Sequence, residues 1–127
     1  MIDKESVRDS VQRYFRAWEE NDKESLLALF DEESVWEDPV GSKPNKGLDQ
    51  ISAFWDQAHN DESTSMQPVI QKEIYLGNEA LVTFTMQIRS AQGGMDIEVT
   101  DYFKINDEGK IEIARAFWDS TCIKSVA

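Results

Sequence analysis

With one cysteine, one histidine and three prolines in 127 residues, several classes of protein are set aside before any motif is considered. Cys122 has no partner for an internal disulfide. The opening MIDKESV lacks the positive-then-apolar pattern of a signal peptide, so the expected compartment is a reducing cytoplasm. His59 lies in the polar run HNDEST, where Asp61 and Glu62 make it read as a solvated helix end; neither a metal site nor a Ser-His-Asp triad is expected from it. Basic residues are also scarce, 13 against 25 acids, and the net charge of −12 repels phosphate backbones and anionic headgroups. Nucleic acid and membrane surfaces are therefore not expected partners. No apolar run approaches the roughly 20 residues of a membrane-spanning helix, and Gly93-Gly94 reads as a hairpin turn, not a phosphate loop.

What is present is ordinary globular material, 40% hydrophobic and 10% aromatic, with no repeat or linker. A single domain over residues 1–127 is expected, burying about two thirds of the surface of its unfolded chain. Val7, Val11, Tyr14, Phe15 and Trp18 recur at helical spacing between Asp3, a suitable N-cap, and the Asn21-Asp22 break. A shorter helix carries Leu26, Leu27, Leu29 and Phe30, and a third carries Leu48, Ile51, Phe54, Trp55 and Ala58. Beyond them the pattern changes to period two over 67–76, 79–90, 95–106 and 110–119, with turns at Gly77-Asn78, Gly93-Gly94 and 106–109. Helices first and strands afterwards predict an α+β fold, a curved four-stranded antiparallel meander packed against three helices.

Three polar residues stand where this pattern calls for apolar ones or for a plain turn. Asp101 falls in register with Met95, Ile97, Val99, Phe103 and Ile105 on the apolar face of its strand. Burial there disfavours its charge unless a cation compensates, and Arg115 on the next strand is one available. Asp101 is thus either half of a buried ion pair or a neutral acid facing a pocket. Tyr14 lies on the buried stripe of the first helix, and its hydroxyl needs a partner there or a role. In VWEDPVGSKP, residues 35–44, an apolar run stops at Glu37 and Asp38 before a proline turn.

QRYF around Tyr14, LLALF at 26–30, VWEDPVGSKP, AFW at 53–55, TDYFKI at 100–105 and ARAFW at 114–118 together resemble the bacterial ketosteroid isomerases, in order and over nearly the whole chain. The resemblance implies a cone-shaped fold of the nuclear-transport-factor-two-like or SnoaL-like kind, a homodimer, no metal and no cofactor. It implies Asp38 as general base, and Tyr14 with a protonated Asp101 as donors to the oxygen of a dienolate. This family is itself the known instance of a carboxylic acid kept neutral for that purpose. The substrate implied is a small apolar ketone or steroid whose double bond moves from the β,γ to the α,β position. Trp55, Val82, Phe84, Met86, Ile88 and Trp118 are the expected pocket walls, and Glu37 reads as a surface acid pointing away. Where relatives support the helix-one tyrosine with further tyrosines, this chain has Phe30 and Trp55. A non-catalytic binder of apolar ligands, or another enzyme of the same fold such as a dehydratase or polyketide cyclase, stays open beside the isomerase.

Overall fold

Helix α1 (Lys4–Glu20) starts where the Asp3 carboxylate accepts from the Ser6 amide at 2.8 Å. It ends at Asn21, whose left-handed φ of 53° returns its N–H to the Ala17 and Trp18 carbonyls. Between these caps Val7, Val11, Tyr14, Phe15, Ala17 and Trp18 form one buried face. The computed structural model describes residues 2–126.

Helix α2 is only Lys23–Leu27. Leu29 and Phe30, expected within it, follow it as core residues, because the Ile111 amide takes the Leu29 carbonyl at 2.7 Å and draws the chain out of the helix. Helix α3 (Gly47–Ala58) closes the helical layer.

The remaining segments form one sheet: β1 (Val35–Glu37), β2 (Asn45–Lys46), β3 (Ser65–Leu76), β4 (Glu79–Ser90), β5 (Gly93–Ile105), β6 (Ile111–Phe117) and β7 (Ile123–Val126). The order is β2-β1-β6-β5-β4-β3, with β7 also paired to β5. The antiparallel meander β3 to β6 is the one read from period two. Two features differ from that reading. Strand β1 runs parallel to β6, which makes the sheet mixed; three residues are too few for an alternation signal. Strand β6 stops at Phe117, and after a 3₁₀ turn at Ser120–Cys122 strand β7 pairs with the first part of β5.

Helices and the inner sheet face enclose the core. Trp36 and Phe103 are fully buried, and the Tyr14 ring sits among Phe103, Phe15 and Trp36 at centroid separations of 4.9, 5.1 and 5.8 Å. Such edge-to-face contacts contribute about 0.5–1.5 kcal/mol each beyond area burial, and they hold the ring in one orientation. No helix among the described residues is long and apolar enough to cross a membrane.

Candidate active site

Tyr14 from α1, Asp38 from the turn after β1 and Asp101 from β5 line one cavity of about 270 Å³. Each arrives there for a local reason. Tyr14 continues the buried stripe of α1. Asp101 pairs with Val82 on one side and Ala116 on the other, so strand alternation turns it inward with Val99 and Phe103. Asp38 follows β1 directly, and its peptide to Pro39 is cis. The turn is tied down by the Ser42 hydroxyl and amide on the Pro39 carbonyl, at 2.6 and 3.0 Å, and by the Val40 amide on the Ala116 carbonyl at 2.8 Å.

Electrostatically the two aspartates differ. Asp38 keeps partial exposure and accepts from the Trp118 indole N–H at 2.7 Å. Burial raises its pKa to about 6, and the indoles of Trp118 and Trp36 restrain the rise. It is therefore mainly a carboxylate at neutral pH. Asp101 is 3% exposed, and its Oδ1 has no hydrogen-bond partner among the described residues. Burial first, and the nearby Asp38 charge second, hold it well above the ordinary carboxylate range. The ion-pair alternative fails on register: Arg115 stands opposite Tyr102, on the outer face, and its Nε donates to Glu37 Oε1 at 2.8 Å. Burial first, with the neighbouring Asp101 and Asp38 carboxyls adding to it, also raises Tyr14 well above its usual value, which leaves its hydroxyl protonated.

The walls are apolar. Of the expected wall residues, Phe84, Met86, Ile88 and Trp118 line the cavity. Val82 does not: the cavity runs along β4 toward Ile88, and Val82 lies past its other end, fully buried in the core. Trp55 does not either. It packs on Trp18 at 4.6 Å, and its neighbour Phe54, about 100° round the helix, faces the cavity instead. Residues the sequence reading missed include Trp18, Met66, Ile97 and Val99. Their positions on the α1 stripe and on the inner faces of β3 and β5 were the available signal. Phe30 stacks on Trp36 at 5.5 Å, so aromatic packing, not a tyrosine ladder, surrounds Tyr14.

His59 corrects another expectation. It is no solvated helix end: its ring stacks on Trp55 at 4.0 Å and on Trp18 at 5.2 Å. Its Nδ1 lies 2.7 Å from the Trp55 carbonyl, which can only accept, so Nδ1 carries the proton. The Trp55-to-His59 spacing of one helical turn was the overlooked clue. Among the described residues no group of three His, Cys, Asp or Glu could hold a metal ion. Glu37 is not a free surface acid, since it accepts from both Arg115 and the Gly41 amide.

A protein family described as SnoaL-like domain matches residues 11–113. Among solved structures, the epoxide hydrolase/cyclase-like enzyme SalBIII, of pyran ring formation in the polyether salinomycin, superposes with a TM-score of 0.85 at 25% identity, over 99% of this chain and 100% of its own. A Δ5-3-ketosteroid isomerase from Mycobacterium sp. gives 0.85 at 17% identity, over 95% and 98% of the two chains. A computationally designed 17-OHP binder gives 0.85 at 18%, over 95% and 98%. The last two likenesses concern the fold.

Proposed function

This chain belongs to the SnoaL-like domain family, and from that premise we propose that it is a cofactor-independent isomerase moving a C=C double bond from the β,γ to the α,β position of an apolar ketone. One observation carries the reading: two carboxyls share an apolar cavity with a tyrosine, one with its pKa raised to about 6 and the other raised well above the ordinary carboxylate range. Titratable groups pushed apart in this way divide into base and acid.

In the proposed reaction the Asp38 carboxylate takes a proton from the carbon between the carbonyl and the double bond. The electron pair moves onto the carbonyl oxygen, giving a dienolate. Tyr14 and Asp101 each direct an O–H to that oxygen, and donors fixed in a dry site stabilise the developing charge without reorganising. Protonated Asp38 then returns the proton two carbons along, which gives the conjugated ketone and regenerates the carboxylate. A base near pKa 6 suits this task, because it is ionised at neutral pH yet far more basic than an exposed aspartate.

The cavity, about 270 Å³, lies just under the roughly 300–1,000 Å³ usual for small-molecule sites. That favours a compact one- or two-ring ketone over a fully enclosed steroid. A homodimer belongs to the same proposal.

The 25% identity to an epoxide hydrolase/cyclase-like enzyme supports a second reading, in which Asp101 protonates an epoxide oxygen while Asp38 deprotonates the attacking hydroxyl. Growth of ultraviolet enone absorbance with a β,γ-unsaturated bicyclic ketone tests the first reading. No growth, with turnover of a hydroxy-epoxide of similar size, would replace it by the second. Tight binding with turnover of neither would leave a binding module.

A further inference from the structure

We propose that Glu37 is a positioning residue, clamping from the outer face of the sheet the turn that presents Asp38 to the cavity. The inference rests on the reading of Asp38 as the base. The chain alternates across the sheet, so Glu37 and Asp38 point to opposite sides, as do Arg115 and Phe117 against Ala116 and Trp118. Asp38, Ala116 and Trp118 line the cavity. Directly behind them, one Glu37 carboxylate joins two separate segments. Its Oε1 accepts from Arg115 Nε at 2.8 Å on β6, and its Oε2 accepts from the Gly41 amide at 3.2 Å, three residues past the base.

Gly41 holds a φ of 98°, open to glycine and strained for other residues, and this conformation goes with the Gly41 amide turning back toward Glu37. Arg115 is fixed on its other side by the Phe117 ring, 5.3 Å from the guanidinium carbon. Phe117 immediately precedes Trp118, whose indole holds Asp38 at 2.7 Å. The outer residues Glu37, Arg115 and Phe117 thus fix both the turn bearing the base and the strand end bearing its hydrogen-bond donor. An ordinary half-exposed ion pair joins side chains and adds little. This one also ties down backbone, which lets it set the position of a neighbouring group.

The test is Glu37→Gln, which keeps an acceptor but removes the charge, with Glu37→Asp as the conservative variant that keeps the charge on a shorter stem. Four quantities are read: kcat and KM on the β,γ-unsaturated ketone, affinity for 2-naphthol as a dienolate mimic, thermal unfolding, and the Asp38 carboxyl titration followed by ¹³C NMR. For Glu37→Gln, kcat falls about ten- to a hundredfold, the scale of a displaced catalytic group. Naphthol affinity and unfolding temperature stay near wild type, because Tyr14 and Asp101 are untouched. The Asp38 titration moves down from about 6 as the loosened carboxylate gains water. Glu37→Asp recovers part of the loss. An unchanged Asp38 titration in Glu37→Gln overturns the clamp whatever reaction the protein catalyses. Equal losses of kcat, naphthol affinity and thermal stability overturn it in favour of a general structural role. Wild-type turnover in Asp38→Asn removes the base assignment, while the NMR titration still decides the clamp.

Discussion

On the outer face of the sheet the acids have company: Asp96 meets Arg89 at 2.8 Å, Glu112 meets Lys104 at 3.3 Å and Glu98 accepts from Thr85 at 2.9 Å. On the inner face Asp101 has, among the described residues, neither a cation nor a partner for its Oδ1, and it shares an apolar cavity with Asp38. Asp96 and Glu98, five and three residues from Asp101 on the same strand, therefore live in the opposite environment. The contrast teaches that a carboxyl's surroundings follow from which side of the strand it leaves, since Asp96 and Asp101 are the same residue type on one strand. Each of the outer acids named meets a cation or a hydroxyl. Burial without a partner disfavours the charged form of an acid.

The comparison is broken most severely by removing the carboxylate that shares the cavity with Asp101. Asp38→Asn keeps the shape and the Trp118 contact side, and turnover should drop by about two to four orders of magnitude, the share of a general base. Steady-state kinetics on the β,γ-unsaturated ketone measure this; a change under tenfold contradicts the division of roles between the faces.

Next comes the neutral acid. Asp101→Leu deletes one oxyanion donor and should reduce turnover by about two to three orders of magnitude, while the protein becomes more stable at pH 7. The sign follows from linkage. The folded pKa of Asp101 lies above its unfolded value, so in the window between the two values the folded state holds a proton the unfolded state has released. Stability falls with rising pH across that window, and leucine removes the penalty. Denaturant unfolding at pH 7 that showed Asp101→Leu strongly destabilised would mean a buried ionic partner.

Asp38 sharpens the same point with a value. Its pKa rises from 3.8 to about 6 on folding, so as pH climbs through that window the protein loses about 3 kcal/mol from this group. Asp38→Asn should accordingly be more stable than wild type at pH 7 and no more stable at pH 4. The opposite order at the two pH values would place the carboxylate in a stabilising pair. The outer face supplies the smallest effect: Lys104→Ala removes an exposed partner of Glu112 and should shift unfolding by no more than about 0.5 kcal/mol. A loss of several kcal/mol would show that the two faces are coupled.

The helical stripe from Val7 to Trp18 and the meander from β3 to β6 were legible because each repeats a local rule several times. A side chain one turn or two residues on has the same fate. That same periodicity is why Tyr14 and Asp101 stood out as polar groups on apolar faces. The turn at Asp38-Pro39 was legible as a turn, but its acids were not separable by pattern alone. Glu37 was read as a solvent-facing acid and is held by Arg115 and Gly41. His59, read as solvated, is stacked on two tryptophans.

Apart from His59, whose stack on Trp55 is local, the misses share a cause. The parallel pairing of β1 with β6 joins Glu37 to Arg115 across 78 positions of sequence, and the indole that holds Asp38 comes from 80 positions away. Nothing in the order of residues near Asp38 states that Trp118 is beside it. Trp55 and Val82 were assigned to the wall on type and stripe, and packing set the cavity elsewhere. By itself the sequence determined the long helices and the meander strands, their inward faces and the polar residues Tyr14 and Asp101 on them, because backbone period and side-chain direction act over a few residues. Only the tertiary structure decided which of those residues share a cavity, which carboxyl is paired and which is left neutral, because burial, hydrogen bonds and Coulomb forces depend on distance in space, and the chain must fold before that distance exists.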